Sequence, residues 1–425
     1  MIAPARRAAF DALLSHATRG TDLTSALTLA RRGLTDPRDH TLATELVSGT
    51  VRMRRAIDYQ LARHITRPLA RLDIEVLTVL RLGAFQVMYL DRVPASAAVH
   101  DAVDLTRRGG KTSARGLVNA VLRSLSREAD RLAWPEGDSA EALGTRLSHP
   151  DWLVRRWLSR YGVERTARWL AFNNQPPRLC LAANRARGTR EDVAARLAAE
   201  GVATRPTDRA PDGLVVVEGA ALTTAAFAEG WFAVQDEASQ LITTLAPVGH
   251  GARVLDLCAS PGGKTVALAA SGACVVACDV RPRRVRLLRT TLARTGLTHV
   301  AIVQVPASGT LPFADDAFEL VLVDAPCSGL GTLRRDPDIR WNREPGDLFR
   351  LAHQQGDLLR QAARLVRRGG TLLYATCSSE PEENEDVVSG FLPDHPGFTL
   401  AYEHRTLPPD DGLEAFYGAV IARNV

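Results

Sequence analysis

Lysine is almost missing from this chain of 425 residues, since Lys111 and Lys264 are its only lysines among 53 basic residues. Long apolar runs are missing as well, and none reaches the roughly 18 residues that a membrane-spanning helix requires. The arginines near the N-terminus are followed by no apolar run, so no secretory signal is predicted. These absences favour a soluble, intracellular, cytoplasmic protein with no membrane partner.

Cysteine is also sparse, and its spacing excludes two classes of protein. The chain has six cysteines, at positions 180, 258, 274, 278, 327 and 377. None of them forms a CxxC pair, and a structural zinc site usually needs four closely supplied ligands. Six cysteines also do not make a disulfide scaffold in a chain this long. We therefore expect neither a metal site nor a disulfide framework.

Hydrophobic patterning divides the chain into three predicted domains. Residues 1–140 place apolar side chains at three- and four-residue spacing, which is typical of helices. Residues 145–235 mix helix and strand patterns, which predicts a small α+β domain. Residues 236–425 alternate strands with helices, which predicts a doubly wound α/β sheet.

Positive charge is concentrated in the helical part. Residues 1–140 hold 21 basic and 15 acidic residues, a net of +6, whereas the whole chain carries +5. The basic residues of this part include Arg52, Arg54, Arg55, Arg63, Arg67, Arg71, Arg107, Arg108, Lys111 and Arg115. Such an excess favours a polyanion partner such as RNA. A solvated helix surface in an arginine-rich composition is the alternative.

A glycine turn follows the first predicted strand of the α/β domain. The strand Val254–Leu257 leads directly into Cys258-Ala259-Ser260-Pro261-Gly262-Gly263-Lys264. A turn of this kind at the start of a helix is the usual site for a nucleotide-like cofactor. A phosphate-binding P-loop would need glycine where Cys258 stands, so a nucleoside cofactor without a phosphate chain is preferred over ATP. Asp279 ends the next predicted strand, where an acid typically binds ribose hydroxyls.

Two further strand ends carry cysteines. Asp324-Ala325-Pro326-Cys327 follows one apolar run, and Thr376-Cys377-Ser378 follows another. A cysteine thiolate can attack C6 of a pyrimidine ring, after which C5 can accept a methyl group from a sulfonium donor. The Asp324 carboxyl could offset the charge that builds up on the ring. Free cysteines are also common in protein cores, but two of them at strand ends beside an aspartate favour catalysis.

Two other functions are compatible with parts of the sequence. A non-catalytic RNA-binding or antitermination factor would need only the basic helical part, and it would leave the cofactor turn and the cysteines unexplained. A methyltransferase acting on an exocyclic amine would need no thiol. It would be expected to carry Asn/Asp-Pro-Pro-Tyr/Phe in place of Asp324-Ala325-Pro326-Cys327.

The motifs resemble those of the NOL1/NOP2/Sun family of S-adenosylmethionine-dependent RNA (cytosine-C5) methyltransferases. The resemblance is carried by the segments 256–264, 324–338 and 374–379, with flanking similarity at 235–240 and 411–416. The segments 81–86, 93–94 and 118–123 are similar to a NusB-like, RNA-binding helical domain. That combination resembles the RsmB (Sun/Fmu) type, which acts on 16S ribosomal RNA. It implies a Rossmann-like methyltransferase domain, S-adenosylmethionine as cofactor and RNA, not DNA, as partner.

The resemblance also implies roles for single residues. The turn Cys258–Lys264 would hold the amino-acid end of the donor, Asp279 would hold the ribose, and Arg284 matches a basic position of the family. Asp324 would lie near both the donor and N3 of the cytosine. Cys377 would be the nucleophile and Cys327 would assist release. Related DNA enzymes use the Pro-Cys thiol instead, so the residues alone leave that assignment open.

One position departs from the family pattern. The family usually has an aspartate near the adenine, before its Leu-Pro-Phe segment. In this chain the segment Gln304–Gly309 contains no acid, and Ala307 occupies the expected place. We therefore expect weaker recognition of adenine.

Overall fold

The computed structural model describes residues 2–245, 248–307 and 309–424, and its chain forms two compact units. The first unit comprises Met1–Gln175 together with Asp336–Asn342, and the second comprises Pro176–Arg335 and Arg343–Val425. Within the described ranges, no helix is both long enough and apolar enough to cross a membrane.

The first unit is helical. Its helices are α1 (Pro4–Arg19), α2 (Leu23–Arg31), α3 (Pro37–Arg52), α4 (Arg54–Ala62), α5 (Ile74–Tyr89), α6 (Ala95–Arg108), α7 (Arg115–Glu128), α8 (Ala140–Arg146) and α9 (Asp151–Asn174). The core is formed by leucines, valines and alanines on the inner faces of α1 to α7. Pro94 and Pro176 lie just outside helices. Proline lacks the backbone N–H donor that the interior of a helix needs.

Helix α9 has an aromatic core of its own. Trp157 and Trp169 are fully buried, and their rings stack with centroids 4.2 Å apart. Gly162 interrupts the helix with a φ of 73°, a conformation that glycine adopts without steric cost. The kink lies between the two tryptophans in sequence.

The second unit begins with a small antiparallel sheet. Its elements are β1 (Cys180–Ala183), α10 (Arg190–Ala199), β2 (Ala203–Pro206), β3 (Gly213–Glu218), α11 (Ala225–Ala228), β4 (Phe232–Val234) and α12 (Glu237–Thr244). The strand order is β2-β3-β1-β4. Buried apolar residues of β1, α10 and β3 pack together and form the core of this part.

A mixed seven-stranded sheet dominates the rest of the second unit. Its strands are β5 (Arg253–Asp256), β6 (Cys274–Asp279), β7 (Ala301–Gln304), β8 (Phe318–Asp324), β9 (Val366–Thr376), β10 (Phe398–Thr406) and β11 (Phe416–Arg423). The helices between them in this unit are α13 (Gly263–Ala270), α14 (Pro282–Thr295), α16 (Pro345–Ala363), α17 (Glu385–Phe391) and α18 (Pro408–Asp411). Helix α15 (Ile339–Asn342) lies between β8 and β9 in sequence but belongs to the first unit. The order is β10-β11-β9-β8-β5-β6-β7, with β5 to β9 parallel and β11 antiparallel to β9.

This topology confirms the predicted fold class, a Rossmann-like α/β domain after an all-α and a small α+β part. The runs at 254–256, 320–323 and 372–374 lie in central strands and are buried, as continuous apolar runs predict. Because β5, β6, β8 and β9 are parallel, their carboxyl ends meet at one edge of the sheet. The domain boundaries near residues 140, 145 and 235 stay a prediction.

The segment Asp336–Asn342 belongs to the first unit although both of its flanks belong to the second. Arg340 is fully buried there. Its guanidinium donates to the main-chain oxygens of Ser148 (2.9 Å) and Asn173 (3.2 Å). The Trp341 indole donates to the main-chain oxygen of Val51 at 2.8 Å. The helical unit is therefore completed by residues from far along the chain.

Candidate active site

The predicted cofactor turn joins β5 to α13. Gly262 caps the helix with a φ of 112°, a left-handed backbone conformation that residues other than glycine rarely adopt. A Cβ at this position would lie 3.1 Å from Leu288 Cδ1. Glycine is therefore needed for both the turn and the close packing, and the free backbone N–H groups of α13 begin directly after it.

Lys264 and Asp324 form a buried ion pair at this edge of the sheet. The Lys264 ammonium lies 2.7 Å from an Asp324 oxygen and 3.0 Å from Ser239 Oγ. Burial acts to lower the pKa of Lys264, but the Asp324 carboxylate outweighs burial, and the pKa is raised. The ammonium also lies 5.6 Å from the centre of the Phe416 ring. The lysine is therefore charged and fixes the orientation of Asp324.

A cavity of about 270 Å³ opens beside this pair. Its lining residues are Val234, Gln235, Asp236, Ser239, Asp256, Ala259, Pro261, Gly263, Lys264, Asp324, Arg335 and Phe416. Five residues predicted from the sequence are among them: Ala259, Pro261, Gly263, Lys264 and Asp324. The other predicted residues lie outside this lining.

The cavity wall offers polar atoms that suit a polar cofactor. Gln235 Oε1 and Asp256 Oδ1 belong to lining residues, and Ser260 Oγ lies in the adjacent turn. All three atoms are buried and have no hydrogen-bond partner within the described part of the chain. Burial raises the pKa of Asp256 to about 7, although the Thr265 hydroxyl donates to its other oxygen at 2.7 Å. Buried polar atoms without partners are costly unless a ligand or water completes them. These atoms fit the polar groups of S-adenosylmethionine.

Asp279, Arg284 and Ser260 form a second group. Asp279 ends β6 and pairs with Arg284 across 3.0 Å, and Arg284 donates to the main-chain oxygen of Ser260 at 2.6 Å. Arg284 therefore links the predicted ribose carboxylate to the cofactor turn. Cys258 lies at the start of that turn, and burial raises its pKa above the usual range. A thiol with a raised pKa is a poor nucleophile.

The position expected for an adenine-binding acid lies just beyond β7. Gln304 ends β7 and pairs in register with Asp279 of β6. Gln304 and Ala307 are both exposed, and Ser308 lies outside the described residues. The exposed amide of Gln304 is thus the polar side chain next to Asp279 on the neighbouring strand.

Cys327 and Cys377 meet directly after β8 and β9, which are hydrogen-bonded neighbours. Their sulfur atoms are 3.0 Å apart, and both cysteines are free thiols. The hydrogen bond with Cys377, then burial and the nearby Glu383 carboxylate raise the pKa of Cys327 well above its ordinary value. The structure therefore brings the two predicted catalytic cysteines together.

Sequence reasoning missed the residues behind the cysteines. Glu383 is fully buried and accepts hydrogen bonds from the hydroxyls of Ser328 and Ser378. The available signal was that each predicted catalytic cysteine is followed by a serine. No spacing rule linked Glu383 to either of them.

Together, the mixed seven-stranded sheet, the glycine turn and the polar cavity at the strand ends define a Rossmann-like methyltransferase. Family models agree along the chain. Residues 242–418 match the 16S rRNA methyltransferase RsmB/F family, residues 3–127 match the NusB family, and residues 149–223 match the RsmF/B-like ferredoxin-like domain. The chain belongs to the ribosomal RNA small subunit methyltransferase B family. It is an RNA methyltransferase that uses S-adenosylmethionine.

Curated relatives share most of their length with this chain. The ribosomal RNA small subunit methyltransferase B of Pseudomonas putida is 37% identical, over 98% of each chain. A probable ribosomal RNA small subunit methyltransferase B of Bacillus subtilis is 36% identical, over 84% of this chain and 80% of the relative.

Solved structures show the same fold. The crystal structure of PH0851 matches 99% of each chain with a TM-score of 0.84 and 24% identity. The structure of NSun6 from Pyrococcus horikoshii with SFG matches 64% of this chain and 98% of its own, with a TM-score of 0.57 and 19% identity.

Proposed function

We propose that this protein transfers a methyl group from S-adenosylmethionine to C5 of a cytosine in RNA through a covalent bond between a cysteine and C6. The observation that carries the proposal is the pair of thiols, Cys327 and Cys377, at the ends of two adjacent strands with sulfurs 3.0 Å apart. A methyltransferase acting on an amine needs no thiol, because the amine itself is the nucleophile.

The reaction begins at Cys377. Its thiolate attacks C6 of the cytosine, the C5–C6 double bond opens, and C5 becomes nucleophilic. When bound, S-adenosylmethionine supplies an electrophilic methyl group on its sulfonium. After C5 is methylated, its proton leaves to water, the double bond re-forms and the C6–S bond breaks.

Asp324 and Lys264 stabilise the charge on the ring. Negative charge builds up at N3 after attack on C6, and Asp324 together with the Lys264 ammonium would offset that charge. The ion pair of 2.7 Å fixes the Asp324 carboxyl in place. Charge stabilisation by fixed groups in a partly water-excluded site is a large catalytic effect.

The assignment of the two cysteines is supported by the surroundings of Cys327. Burial and the neighbouring groups raise the pKa of Cys327, which makes this residue a poor nucleophile. As a thiol, it can donate a hydrogen bond to the Cys377 sulfur when that sulfur leaves C6. Cys377 is thus the proposed nucleophile and Cys327 the proposed releasing residue.

The proposed substrate is ribosomal RNA of the small subunit. The relatives from P. putida and B. subtilis carry that substrate in their names. The proposed location is the cytoplasm. The proposed cofactor residues are Cys258 to Lys264, Asp279, Arg284 and Asp324, and the proposed domains are 1–140, 145–235 and 236–425.

Paired cysteine variants test the proposal. With RNA that contains 5-fluorocytidine, the wild-type protein should form a stable covalent adduct. Fluorine replaces the C5 hydrogen that must leave as a proton before the thiol can be released, and the base cannot lose this fluorine. Cys377→Ala should form no adduct and transfer no methyl group. Cys327→Ala should accumulate an adduct with ordinary cytidine RNA, because C5 is methylated but the thiol is not expelled.

The outcomes separate the alternatives. An adduct trapped by Cys377→Ala but not by Cys327→Ala would reverse the roles of the two cysteines. Methyl transfer to RNA that survives loss of both thiols would indicate an exocyclic amine as acceptor. RNA binding without methyl transfer in the wild-type protein would indicate a non-catalytic RNA-binding factor. Cys274→Ala, an exposed cysteine outside the site, serves as the matched control.

A further inference from the structure

One buried carboxylate connects the two cysteine-bearing loops. Glu383 Oε2 accepts hydrogen bonds of 2.5 Å from both Ser328 Oγ and Ser378 Oγ. These serines directly follow Cys327 and Cys377 in the sequence, and their hydroxyls are 3.2 Å apart. The same carboxylate that anchors one catalytic loop therefore anchors the other.

The second oxygen of Glu383 also binds the loop that carries Cys327. It accepts from the Ser328 main-chain nitrogen at 2.7 Å and from Gln355 Nε2 at 3.0 Å. Gln355 also donates to the main-chain oxygen of Pro326 at 2.9 Å. Backbone groups on both sides of Cys327 are thus held by Glu383 or by its partner Gln355.

The position of Glu383 is itself tightly fixed. Its main-chain oxygen accepts from the Tyr374 hydroxyl at 2.6 Å, and the next residue, Asn384, donates to the Ser378 main-chain oxygen at 3.1 Å. The Thr376 hydroxyl donates to the Asn384 side chain at 2.5 Å. A buried carboxyl costs several kcal/mol unless hydrogen bonds satisfy it, and four donors do so for Glu383. A simple packing role would need no carboxylate in this place.

We propose that Glu383 is a positioning residue that holds Cys327 and Cys377 in register, so that both act on the same ring. The inference rests on the proposed function. Two catalytic groups on separate strand ends need a shared support, since a displacement of about 1 Å can lower a rate 100-fold. The charge of Glu383 also adds to the hydrogen bond with Cys377 and to burial in raising the pKa of Cys327.

Two kinds of variant separate the position from the charge. Glu383→Ala removes all four hydrogen bonds, whereas Glu383→Gln keeps the size and an acceptor but removes the charge. Ser328→Ala and Ser378→Ala each release one loop. The exposed carboxylate Asp394, changed to Asn, is the matched control.

The first measurement compares the rate of adduct formation with the rate of adduct release. In Glu383→Ala, trapping on 5-fluorocytidine RNA should slow by about 10- to 100-fold, and an adduct with ordinary cytidine RNA should persist. Ser328→Ala should mainly slow release, and Ser378→Ala should mainly slow adduct formation. Glu383→Gln should recover most of the trapping rate.

The second readout needs no RNA. Alkylation of Cys327 by iodoacetamide, measured by mass spectrometry against pH in the full-length protein, should shift to lower pH by about one unit in Glu383→Gln, because a nearby negative charge is removed. Asp394→Asn should follow the wild-type curve.

The inference is overturned if folded Glu383 variants match the wild-type protein in trapping, release and alkylation. Should Glu383→Ala fail to fold, Glu383→Gln and the two serine variants decide the same question. Failure of the proposed function looks different, since the wild-type protein itself would then trap no 5-fluorocytidine RNA.

Discussion

At the scale of single residues, the site has a carboxylate where the ribose is expected and none where adenine is expected. Asp279 is held by Arg284, while the aligned end of β7 carries the amide of Gln304 and the methyl group of Ala307. A carboxylate could accept a charge-assisted hydrogen bond from an adenine amino group, and an amide or a methyl group forms a weaker contact. Donor affinity should depend on this difference.

Ala307→Asp should therefore tighten S-adenosylmethionine binding. A charge-assisted hydrogen bond is worth about 1.5–3 kcal/mol, which corresponds to roughly a 10- to 100-fold lower Kd. Asp279→Ala should loosen binding, because it removes the proposed ribose contact. Calorimetry on the three proteins measures both effects. Unchanged binding in Ala307→Asp would mean that Gln304 already serves the adenine.

Asp256 makes stability depend on pH. Its pKa is raised to about 7 by burial, whereas an unfolded aspartate titrates near about 3.9. The folded state thus binds a proton that the unfolded state has lost, so the free energy of unfolding falls as pH rises from about 4 to about 7. The slope should be at most about 1.4 kcal/mol per pH unit.

Asp256→Asn cannot titrate and should lose this slope. Urea unfolding of the two proteins across that pH window measures the difference, and the exposed-site variant Asp394→Asn should keep the wild-type slope. Parallel curves for wild type and Asp256→Asn would contradict the prediction.

At the scale of elements, sequence patterns predicted the strands that lie in the middle of the sheet. β5, β6, β8 and β9 are buried on both faces, so their apolar runs are continuous and easy to identify. β10 is an edge strand, and most of its side chains are exposed, so it has no such run. The short edge strands β2 and β4 have no such run either, because pairing with a neighbouring strand defines them rather than a pattern of their own.

The site shows the same division. The cofactor turn and both cysteines directly follow apolar runs, so chain order alone brings them to one edge. Glu383 reaches the same place from a short turn after β9, and only the fold brings it beside Ser328, which lies 55 residues earlier. Likewise, the pairing of Lys264 with Asp324 depends on the adjacency of β5 and β8.

The short helix α15 provides a test at this scale. Arg340 satisfies the main-chain oxygens of Ser148 and Asn173 inside the helical unit. Arg340→Ala would leave buried oxygens without donors, each costing about 1–3 kcal/mol. Chemical unfolding should show a loss of about 3 kcal/mol or more for Arg340→Ala. Arg343→Ala, just outside the segment, should cost less, since its side chain makes a partly exposed contact to Ser328.

At the scale of the whole molecule, the structure sorts the basic residues of the first unit. Arg52 is buried, and Arg54 stacks on Trp341 at 4.7 Å. Arg108 is neutralised by Asp11 at 2.6 Å. By contrast, Arg67 and Arg107 are exposed side chains without an acidic partner in the described ranges. Arg71 shares these properties. The exposed arginines are the ones available for RNA phosphates.

RNA binding should therefore weaken steeply with salt. The logarithm of affinity should fall by about 0.7–0.9 per phosphate neutralised, for each tenfold rise in salt. Replacing Arg67, Arg71 and Arg107 by alanine should make that slope shallower by up to about 2.1–2.7 units, if each arginine neutralises one phosphate. Arg108→Ala is the control, since Asp11 already neutralises this charge, and its slope should stay near wild type. Equal slopes for the triple variant and the wild type would contradict the prediction.

The segment Asp336–Asn342 has a consequence for dividing the chain at the level of the gene. The residues that complete the helical unit lie more than 150 residues beyond the end of its main helical stretch. A split of the gene at any single point between Gln175 and Asp336 would leave the helical product without Arg340. The main-chain oxygens of Ser148 and Asn173 would then lose the donor that Arg340 supplies.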